Sequence, residues 1–384
     1  MDVKTLQQHL SALATLPETG APVVSCYLNL ERGPISYRGA LDARMELLRR
    51  SLPEARRNLV VAAMVPIEAW LRALPANGTQ GVAIFSRAGD RPFFLPLAFR
   101  VPLPSWISVD STPNIYHLVE LKDNYDRYVV LFATEESARI LGINLGSITE
   151  DIWKSRPGLR LRVGNEWTKE HFQDHRRERG KQFMREQIRI ADQLMSAGGY
   201  GHLIVAGSAR MTAEIRQALP RHMKAKLVDV VPASANDRIS EVVAATVQSF
   251  LDHEETESLE VVEQLLKQIH RHGLAVAGTH PCTLVLRAGQ ADILVMAKDY
   301  EPGTAWLCLA CGSVAAQAQA PAACARCAST SARQFDIKEE MVRLAQKTGC
   351  SVEVVEHSDA LMQLGGVGCL LRYAAPENYA AKAA

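Results

Sequence analysis

Two cysteine pairs in the last quarter of the chain have the spacing of a metal site. Cys308 and Cys311 form one Cys-x-x-Cys pair, and Cys324 and Cys327 form a second pair after twelve intervening residues. Each pair can turn tightly enough to bring two thiolates within about 4 Å of each other, which matches two corners of a Zn²⁺ tetrahedron. Because four thiolates leave no open coordination position, we expect a structural zinc ion. Reduced thiols on a loop are the alternative.

A basic segment in the middle of the chain is the second chemically suggestive feature. Between Lys154 and Arg189 there are eleven Lys or Arg and five Asp or Glu residues, a local net charge of +6 in a chain whose remainder carries −5. Such density favours phosphate contacts, because binding releases condensed counterions. A solvated helix face, with ion pairs to Glu178 and Glu186, is the alternative. The candidate RNA-binding residues of this segment are Arg176, Arg177, Arg179, Lys181, Gln182, Arg185 and Arg189.

The composition is that of a globular protein. The chain has 384 residues, of which 47% are hydrophobic and 22% charged, and this suggests two or three domains. A net charge of +1 means that any nucleic-acid surface must be local. The N-terminus lacks the apolar core of a signal peptide, and no apolar run reaches the length of a membrane span. We therefore expect a cytoplasmic protein whose cysteine pairs bind metal, with Cys26, Cys282, Cys350 and Cys369 as small core residues.

Alternating strand and helix patterns must position these residues. Short apolar runs rich in β-branched and aromatic residues predict buried strands, and periodic apolar positions predict amphipathic helices. Strands that alternate with helices favour an α/β fold. The acidic run 253–260 lies between two predicted helices, and we expect a linker there. The principal predicted strands are residues 23–30, 81–86, 92–99, 202–208, 226–231, 291–297 and 366–373.

Several segments resemble one known family. HRRERGKQFMREQIR (175–189) resembles the Gly-Gly-Gln loop and following basic helix of archaeal and eukaryotic class-1 release factors. LIVAGSARMTAEI (203–215) resembles the strand and helix that follow, ADILVMAKDY (291–300) corresponds to a strand of the third domain, and GGVGCLLRY (365–373) resembles the closing strand. Paired cysteine knuckles between the last two strands are a feature of archaeal members. The chain is thus identified as a bacterial member of the class-1 release factor and Pelota superfamily, with a match over about residues 125–384.

The resemblance implies an α/β (α+β) fold of three domains. Residues 1–122 would form an N-terminal α/β domain that corresponds to the decoding-region domain of the family. Residues 123–255 would form an RNase H-like central domain with a Gly180-Lys181-Gln182 loop. Residues 256–384 would resemble the kink-turn-binding ribosomal proteins, with a zinc-ribbon insert at about 303–333. The implied partner is the ribosome, through ribosomal RNA at the A site, together with elongation factor Tu or another translational GTPase. We expect a monomer without membrane contact.

Two departures from the family bear on activity. Gly180 and Gln182 match the family's catalytic tip and are the candidate catalytic residues, but Lys181 replaces the second glycine. A side chain there hinders the backbone geometry that the family uses to position water, and the cation could contact phosphates instead. In the first domain, residues 47–58 lack the family's Asn-Ile-Lys-Ser motif. The basic residues of that stretch either contact RNA or are solvated at helix ends; they are Arg49, Arg50, Arg56 and Arg57.

These departures favour a ribosome-binding factor without termination chemistry. The leading hypothesis is a hibernation factor of the Balon type, which would act sterically on idle ribosomes and would not be an enzyme. One alternative is a rescue or peptide-release factor that hydrolyses peptidyl-tRNA through Gln182. The other is a non-ribosomal RNA-binding stress protein, since folds are reused for unrelated functions.

Overall fold

In this computed structural model, the structure describes residues 1–31, 33–75, 78–156, 169–311, 313–315 and 319–374. The description does not extend to the side chains of some helical residues, among them Arg49 and Arg176. Contacts divide the chain into two compact units, one formed by residues 3–124 with 255–384 and the other by residues 125–254. The first unit therefore combines segments from both ends of the chain.

The N-terminal part of the first unit is an antiparallel sheet covered by helices. β1 is buried along most of its length, and Val24, Cys26 and Leu28 pack against α2 and α3 through residues such as Leu41 and Ile67. The sheet order is β3-β2-β1-β4. The elements are α1 (Val3–Ala14), β1 (Val23–Asn29), α2 (Pro34–Ser51), α3 (Glu54–Ala73), β2 (Gly81–Arg87), β3 (Phe93–Phe99), β4 (Trp106–Asp110) and α4 (Tyr116–Asn124).

The central unit is a five-stranded mixed sheet with helices on both faces. Its order is β7-β6-β5-β8-β9, in which β5, β6 and β7 are antiparallel and β8 and β9 continue parallel to β5. Alternate residues of β5 enter two separate cores, Leu131 on the face of α5 and α6 and Val130 on the face of α8. The elements are β5 (Tyr128–Ala133), β6 (Ser137–Asn144), β7 (Ser147–Ser155), α5 (Lys169–Gly198), β8 (His202–Gly207), α6 (Ala209–Ala218), α7 (Arg221–Lys224), β9 (Leu227–Pro232) and α8 (Ile239–His270), whose residues after Glu254 belong to the first unit.

The C-terminal part of the first unit has a four-stranded sheet and a small three-stranded sheet. The larger sheet has the order β10-β16-β11-β15, and the smaller sheet, β13-β12-β14, carries the cysteine insert. The elements are β10 (Ala275–Ala277), α9 (Thr279–Arg287), β11 (Ala291–Ala297), β12 (Thr304–Cys308), β13 (Val314–Ala315), β14 (Ala332–Asp336), α10 (Ile337–Thr348), β15 (Ser351–Val355), α11 (Asp359–Gln363) and β16 (Val367–Leu371). The predicted mixed α/β fold is confirmed, and Cys26, Cys282, Cys350 and Cys369 are buried as expected.

Local sequence signals set the limits of α10. Asp336 caps its first turn by accepting a hydrogen bond from the backbone N–H of Glu339 at 3.0 Å. Gly349 ends the helix at a φ of 65°, in the left-handed region that glycine adopts without steric cost. The apolar positions between these ends face inward, and Met341, Val342 and Ala345 are fully buried.

The first and last parts of the chain join through hydrogen bonds between α10, β15 and α4. The carboxyl oxygens of Glu339 accept the backbone N–H groups of Ile115 and Tyr116 at 2.8 and 2.9 Å, where α4 begins. The Asp123 carboxylate near the end of α4 accepts the backbone N–H of Val354 at 2.6 Å. These bonds satisfy donors that a helix start and a sheet edge would otherwise leave unpaired.

A network of paired charges adds to the hydrogen bonds between the first and last parts of the chain. Arg343 donates two hydrogen bonds to one oxygen of Glu340, from Nε at 2.9 Å and Nη2 at 2.6 Å. Arg333 donates to Glu18 at 2.9 Å and to the Ser111 hydroxyl at 3.2 Å. The network therefore links residues near both ends of the chain.

The prediction of a linker at 253–260 was wrong. Helix α8 is continuous across this stretch, from Ile239 to His270. Its acidic residues lie largely between buried positions such as Phe250, Ser258 and Val262, so they are the polar face of an amphipathic helix. Within the part of the chain that the structure describes, no helix combines the length and apolar composition needed to cross a membrane.

Candidate nucleic-acid interface and metal centre

The predicted loop at Gly180-Lys181-Gln182 is instead part of a helix. These residues lie near the middle of α5, which runs from Lys169 to Gly198. The surrounding residues are mostly Arg, Glu, Lys, Gln and Met, which have high helix propensity, and one glycine costs only about 1 kcal/mol in such a context. Ile188, Ala191 and Met195 of the same helix are buried against the sheet. Tertiary packing of the C-terminal half thus adds to strong local propensity.

The helix arranges its cations in a row. Arg177, Lys181, Arg185 and Arg189 are spaced by four residues, which places neighbours one turn apart on the helix surface. All four are exposed, as are Arg179 and Gln182, whereas the side chain of Arg176 lies outside the description. We call Arg177, Lys181 and Arg185 the cationic row.

Local ion pairs do not neutralise this row within the described residues. The alternative prediction paired the basic segment with Glu178 and Glu186, but neither belongs to a described ion pair. The described ion pairs of the central unit are Arg139 with Asp151, His202 with Glu254, Arg210 with Glu214, and His222 with Asp192. The cationic row is therefore available to an external anion.

The cationic row borders a groove, which we call the α5–α6 groove. It lies between α5 and α6, beside the carboxyl ends of the parallel strands β5 and β8, and has a volume of about 1060 Å³. Its lining includes Ser208, which caps α6 by accepting the backbone N–H of Met211 at 3.4 Å. Arg210 on the first turn of α6 also lines it, as does Arg156 just after β7.

Sequence reasoning missed three of the groove residues. Arg210 was named only within the segment that resembles the family. Its place directly after a strand that ends in Gly-Ser could have indicated a position at the carboxyl-end edge of the sheet. Arg156 was counted in the basic segment but not singled out. Gln187 is 2% exposed and lines the groove, and no feature of the sequence distinguishes it from the other glutamines.

The basic residues of the first domain lie around the junction of α2 and α3. Arg50 pairs with Glu46 on its own helix at 3.0 Å, and Arg57 donates to the backbone carbonyl of Leu52 at 3.2 Å. Arg56 is exposed, and the side chain of Arg49 is not described. Contact between these arginines and RNA stays a prediction.

The four predicted metal ligands come together. The sulfur atoms of Cys308 and Cys327 are 3.5 Å apart, those of Cys311 and Cys324 are 3.6 Å apart, and all four lie within 4.8 Å of one another. Zn–S bonds of about 2.3 Å in a tetrahedron require sulfurs about 3.8 Å apart, so the cluster has the size of a zinc site. Chelation would close the insert, because Cys308 ends β12 and Cys327 precedes β14 by a few residues.

Hydrogen bonds favour the thiolate form of Cys324 in the second knuckle. The Ser313 hydroxyl lies 3.0 Å from the Cys324 sulfur, and the backbone N–H of Arg326 donates to it at 3.4 Å. These two bonds, with a further one from the backbone of Cys327, lower the pKa of the Cys324 thiol to about 6. A thiolate is the form that binds metal, so this environment suits a ligand. Its neighbour Cys327 differs, because a hydrogen bond from the Ser329 backbone is outweighed by Cys311 and Cys308, which raise the pKa of the Cys327 thiol to about 12.

Comparison with known proteins agrees with the family resemblance. Residues 113–251 match the model of the family described as Bacterial archaeo-eukaryotic release factor family 10. Peptide chain release factor subunit 1 of Thermococcus sibiricus is 23% identical over 292 residues, which are 68% of this chain and 69% of that protein. These matches support membership of the superfamily that includes archaeal release factor 1. The family match includes the whole of α5 and α6.

Solved structures of this superfamily are similar at low identity. The crystal structure of the archaeal translation termination factor aRF1 is 16% identical, covers 97% of this chain and 99% of that chain, and has a TM-score of 0.27. Pelota from Archaeoglobus fulgidus is 14% identical, with coverage of 76% and 80% and a TM-score of 0.35.

Proposed function

We propose that this release-factor-like and Pelota-like protein occupies the A site of idle ribosomes and acts sterically, as a hibernation factor. The observation that carries this proposal is the helical Gly180-Lys181-Gln182 segment. In a helix the backbone N–H and C=O groups bond to one another, so they are not available to hold a reacting ester or water. Lys181 adds a cation in place of the glycine that would allow close approach.

The cationic row would hold the protein on the ribosome. Ribosomal RNA presents a dense array of phosphates, and exposed Arg and Lys side chains on a rigid helix can contact them without base specificity. Elongation factor Tu or another translational GTPase is the proposed companion. The site of action would be the cytoplasm, with a monomer as the binding form.

Zinc is the proposed structural ligand of the four cysteines. When bound, it would supply a cross-link between the two knuckles and no catalysis, because all four coordination positions would be thiolates. We expect one zinc per chain by elemental analysis, and loss of zinc in Cys324→Ser. Retention of zinc by that variant would contradict a four-cysteine site.

Co-sedimentation with vacant bacterial ribosomes tests the ribosome assignment. The wild-type protein should pellet with ribosomes, and Lys181→Glu combined with Arg185→Glu should remain mostly in the supernatant. A double variant on the exposed side of α6 and α7, Arg216→Glu with Arg221→Glu, changes the net charge equally and should still pellet. Equal pelleting of both double variants would remove the cationic row from the proposal.

Retention of Gln182 supports the alternative of peptide release. Its side chain is exposed on α5, so an approaching peptidyl-tRNA could reach it. Release of labelled peptide from stalled ribosomes, lost in Gln182→Ala, would favour the enzyme over the steric factor. Crosslinking in cells to scattered transcripts, without ribosomal RNA, would favour the RNA-binding stress protein.

A further inference from the structure

We propose that the α5–α6 groove is a binding site for a phosphate-bearing nucleotide. The phosphate would lie against the cationic row, and the base would lie against Phe183 and Gln187. This inference concerns a discrete ligand site, which shares the cationic row with the proposed ribosome-binding surface but also requires Phe183 and Gln187. Four observations support it.

The first observation is the position of the groove. β5 and β8 are adjacent and parallel, and the groove is lined by Thr134 directly after β5 and by Ser208 directly after β8. In α/β sheets, ligands bind outside the carboxyl ends of parallel strands, most often where the strand order reverses. Here α5 and α6 cover the same face of the sheet, so the groove shares the carboxyl-end edge of such sites but not the reversal.

The second observation is the charge of the lining. Five basic side chains and two acidic side chains line the groove, which gives it a formal net charge of +3. Like charges spaced by four residues destabilise a helix, so the cationic row is unfavourable for folding alone. A bound phosphate would offset this repulsion.

The third observation is the start of α6. Ser208 caps this ten-residue helix, and the backbone N–H groups of its first turn are at the positive end of the helix dipole. Arg210 on the same turn lines the groove, although it also pairs with Glu214 at 3.1 Å. A phosphate in the groove would thus be near a helix start as well as the cationic row.

The fourth observation concerns Gln187. Its side chain is buried, and neither its amide nitrogen nor its amide oxygen has a hydrogen-bond partner among the described residues. A buried amide without hydrogen-bond partners is unfavourable, because its desolvation is not offset. One donor and one acceptor side by side complement the edge of a nucleobase, which carries the same pair of functions.

The apolar part of the lining completes the match with a nucleotide. Phe183 is half-buried and lines the groove, as do the apolar side chains of Met184, Met211 and Ile215. Stacking of a base on an aromatic ring favours binding, and every base has a face that can stack. An inorganic anion would use the cations alone, whereas a nucleotide also uses Phe183 and Gln187.

Titration calorimetry of the full-length protein tests this site with three probes, namely ATP, an RNA pentanucleotide and tripolyphosphate. We expect ATP or the RNA to bind with one-to-one stoichiometry and more tightly than tripolyphosphate. Tighter binding of ATP identifies a free nucleotide as the ligand, and tighter binding of the RNA identifies a nucleotide within a short single strand. Equal binding of all three probes, or no binding at about 1 mM, overturns the proposal.

Variants separate the two parts of the site. Lys181→Ala combined with Arg185→Ala should weaken binding at least about tenfold through lost phosphate contacts. Gln187→Leu should weaken it at least about threefold without lowering the thermal unfolding midpoint, because it removes an amide that lacks partners. Arg216→Ala, on the exposed side of α6, should leave binding within about twofold. Unchanged binding in Gln187→Leu overturns recognition of the base.

The result is distinguishable from failure of the proposed function. Gln187→Leu leaves the exposed cations in place, so it should pellet with ribosomes like the wild type. Loss of nucleotide binding together with normal pelleting supports a separate site. Loss of both in Gln187→Leu would overturn the independence of the groove.

Discussion

Two regions of the protein contain clustered positive charges, which are paired with carboxylates in one region and exposed in the other. In the first unit, Arg333 and Arg343 lie among the carboxylates of Glu18 and Glu340, and the Arg343 and Glu340 side chains are only 10% and 7% exposed. In the central unit, the cationic row is exposed and has no carboxylate partner among the described residues. The first arrangement satisfies its charges within the fold, and the second leaves them for a ligand.

The difference separates structural charge from functional charge. A buried ion pair becomes costly when one partner is lost, because the other charge stays buried. An exposed row of like charges contributes nothing favourable to folding, so its removal should cost binding and not stability. Four substitutions test this division, from the largest expected effect to the smallest.

Arg343→Met should produce the largest loss of stability. It removes the partner of Glu340 while it keeps the length of the side chain. We expect the free energy of unfolding to fall by about 3–5 kcal/mol, measured by urea denaturation. Arg72→Met is the matched control, because it removes an exposed pair with Glu68 and should cost less than about 1 kcal/mol. Equal losses in both variants would mean that the network does not hold the first unit together.

Glu339→Gln should change how stability depends on pH. Desolvation, opposed by the hydrogen bonds from Ile115 and Tyr116, raises the pKa of the Glu339 carboxyl from 4.5 to about 8, and Asp336 and Asp110 add to the rise. Between these two pKa values the Glu339 carboxyl is protonated in the folded state and ionised in the unfolded state. The stability of the folded state therefore falls as pH rises from about 5 to about 8. The amide of the Gln variant cannot titrate. Its free energy of unfolding should therefore lack the decline that Glu339 causes in the wild type, which is a few kcal/mol.

Urea denaturation at pH 5, 6, 7 and 8 measures the effect. The curves of wild type and Glu339→Gln should converge at low pH and diverge at high pH, with the variant more stable. Parallel curves would show that Glu339 titrates in its ordinary range. The cations of α5 are exposed to solvent, whereas the Glu339 carboxyl is buried, so its ionisation lowers the stability of the fold.

Lys181→Ala should weaken RNA binding without loss of stability. Each lost phosphate contact should reduce the slope of log affinity against log salt by about 0.7–0.9, together with a modest loss of affinity. Arg216→Ala is the control, since it is exposed on α6 and outside the groove lining. Filter binding to ribosomal RNA at several salt concentrations measures the slope. A loss of more than about 1 kcal/mol in the free energy of unfolding would show that Lys181 stabilises the fold.

Gly180→Ala should have the smallest effect, and its sign is informative. An added Cβ would lie 3.5 Å from the Arg156 guanidinium, an ordinary contact distance. In a helix interior, alanine is more favourable than glycine by about 0.5–1 kcal/mol, so the variant should be more stable. Destabilisation would indicate that residue 180 needs the backbone freedom of a loop.

The error at Gly180 shows how a resemblance can override local information. The residues of 176–189 are strong helix formers, and their pattern by itself predicts a helix. The match to a loop motif favoured a tip instead, although Lys181 already departed from it. The prediction at 253–260 was wrong for a different reason, because acidic residues suit an exposed helix face as well as a linker.

Local pattern determined much of this protein. The apolar runs specified the strands because a buried strand needs side chains of one character on both faces. The cysteine spacing specified the knuckles, since each pair is only three residues apart. The basic segment was visible as a charge excess, and helical periodicity places its members in a row.

Only the tertiary structure decided which distant groups meet. Glu339 bonds to Ile115 across 224 positions of the chain, and nothing in either neighbourhood indicates the other. Gln187 is buried, and Arg210 lines the same groove as α5, because two helices cover one face of a sheet. Strand and helix periods depend on near neighbours, whereas buried partners depend on which faces pack together, and that is settled by the whole chain.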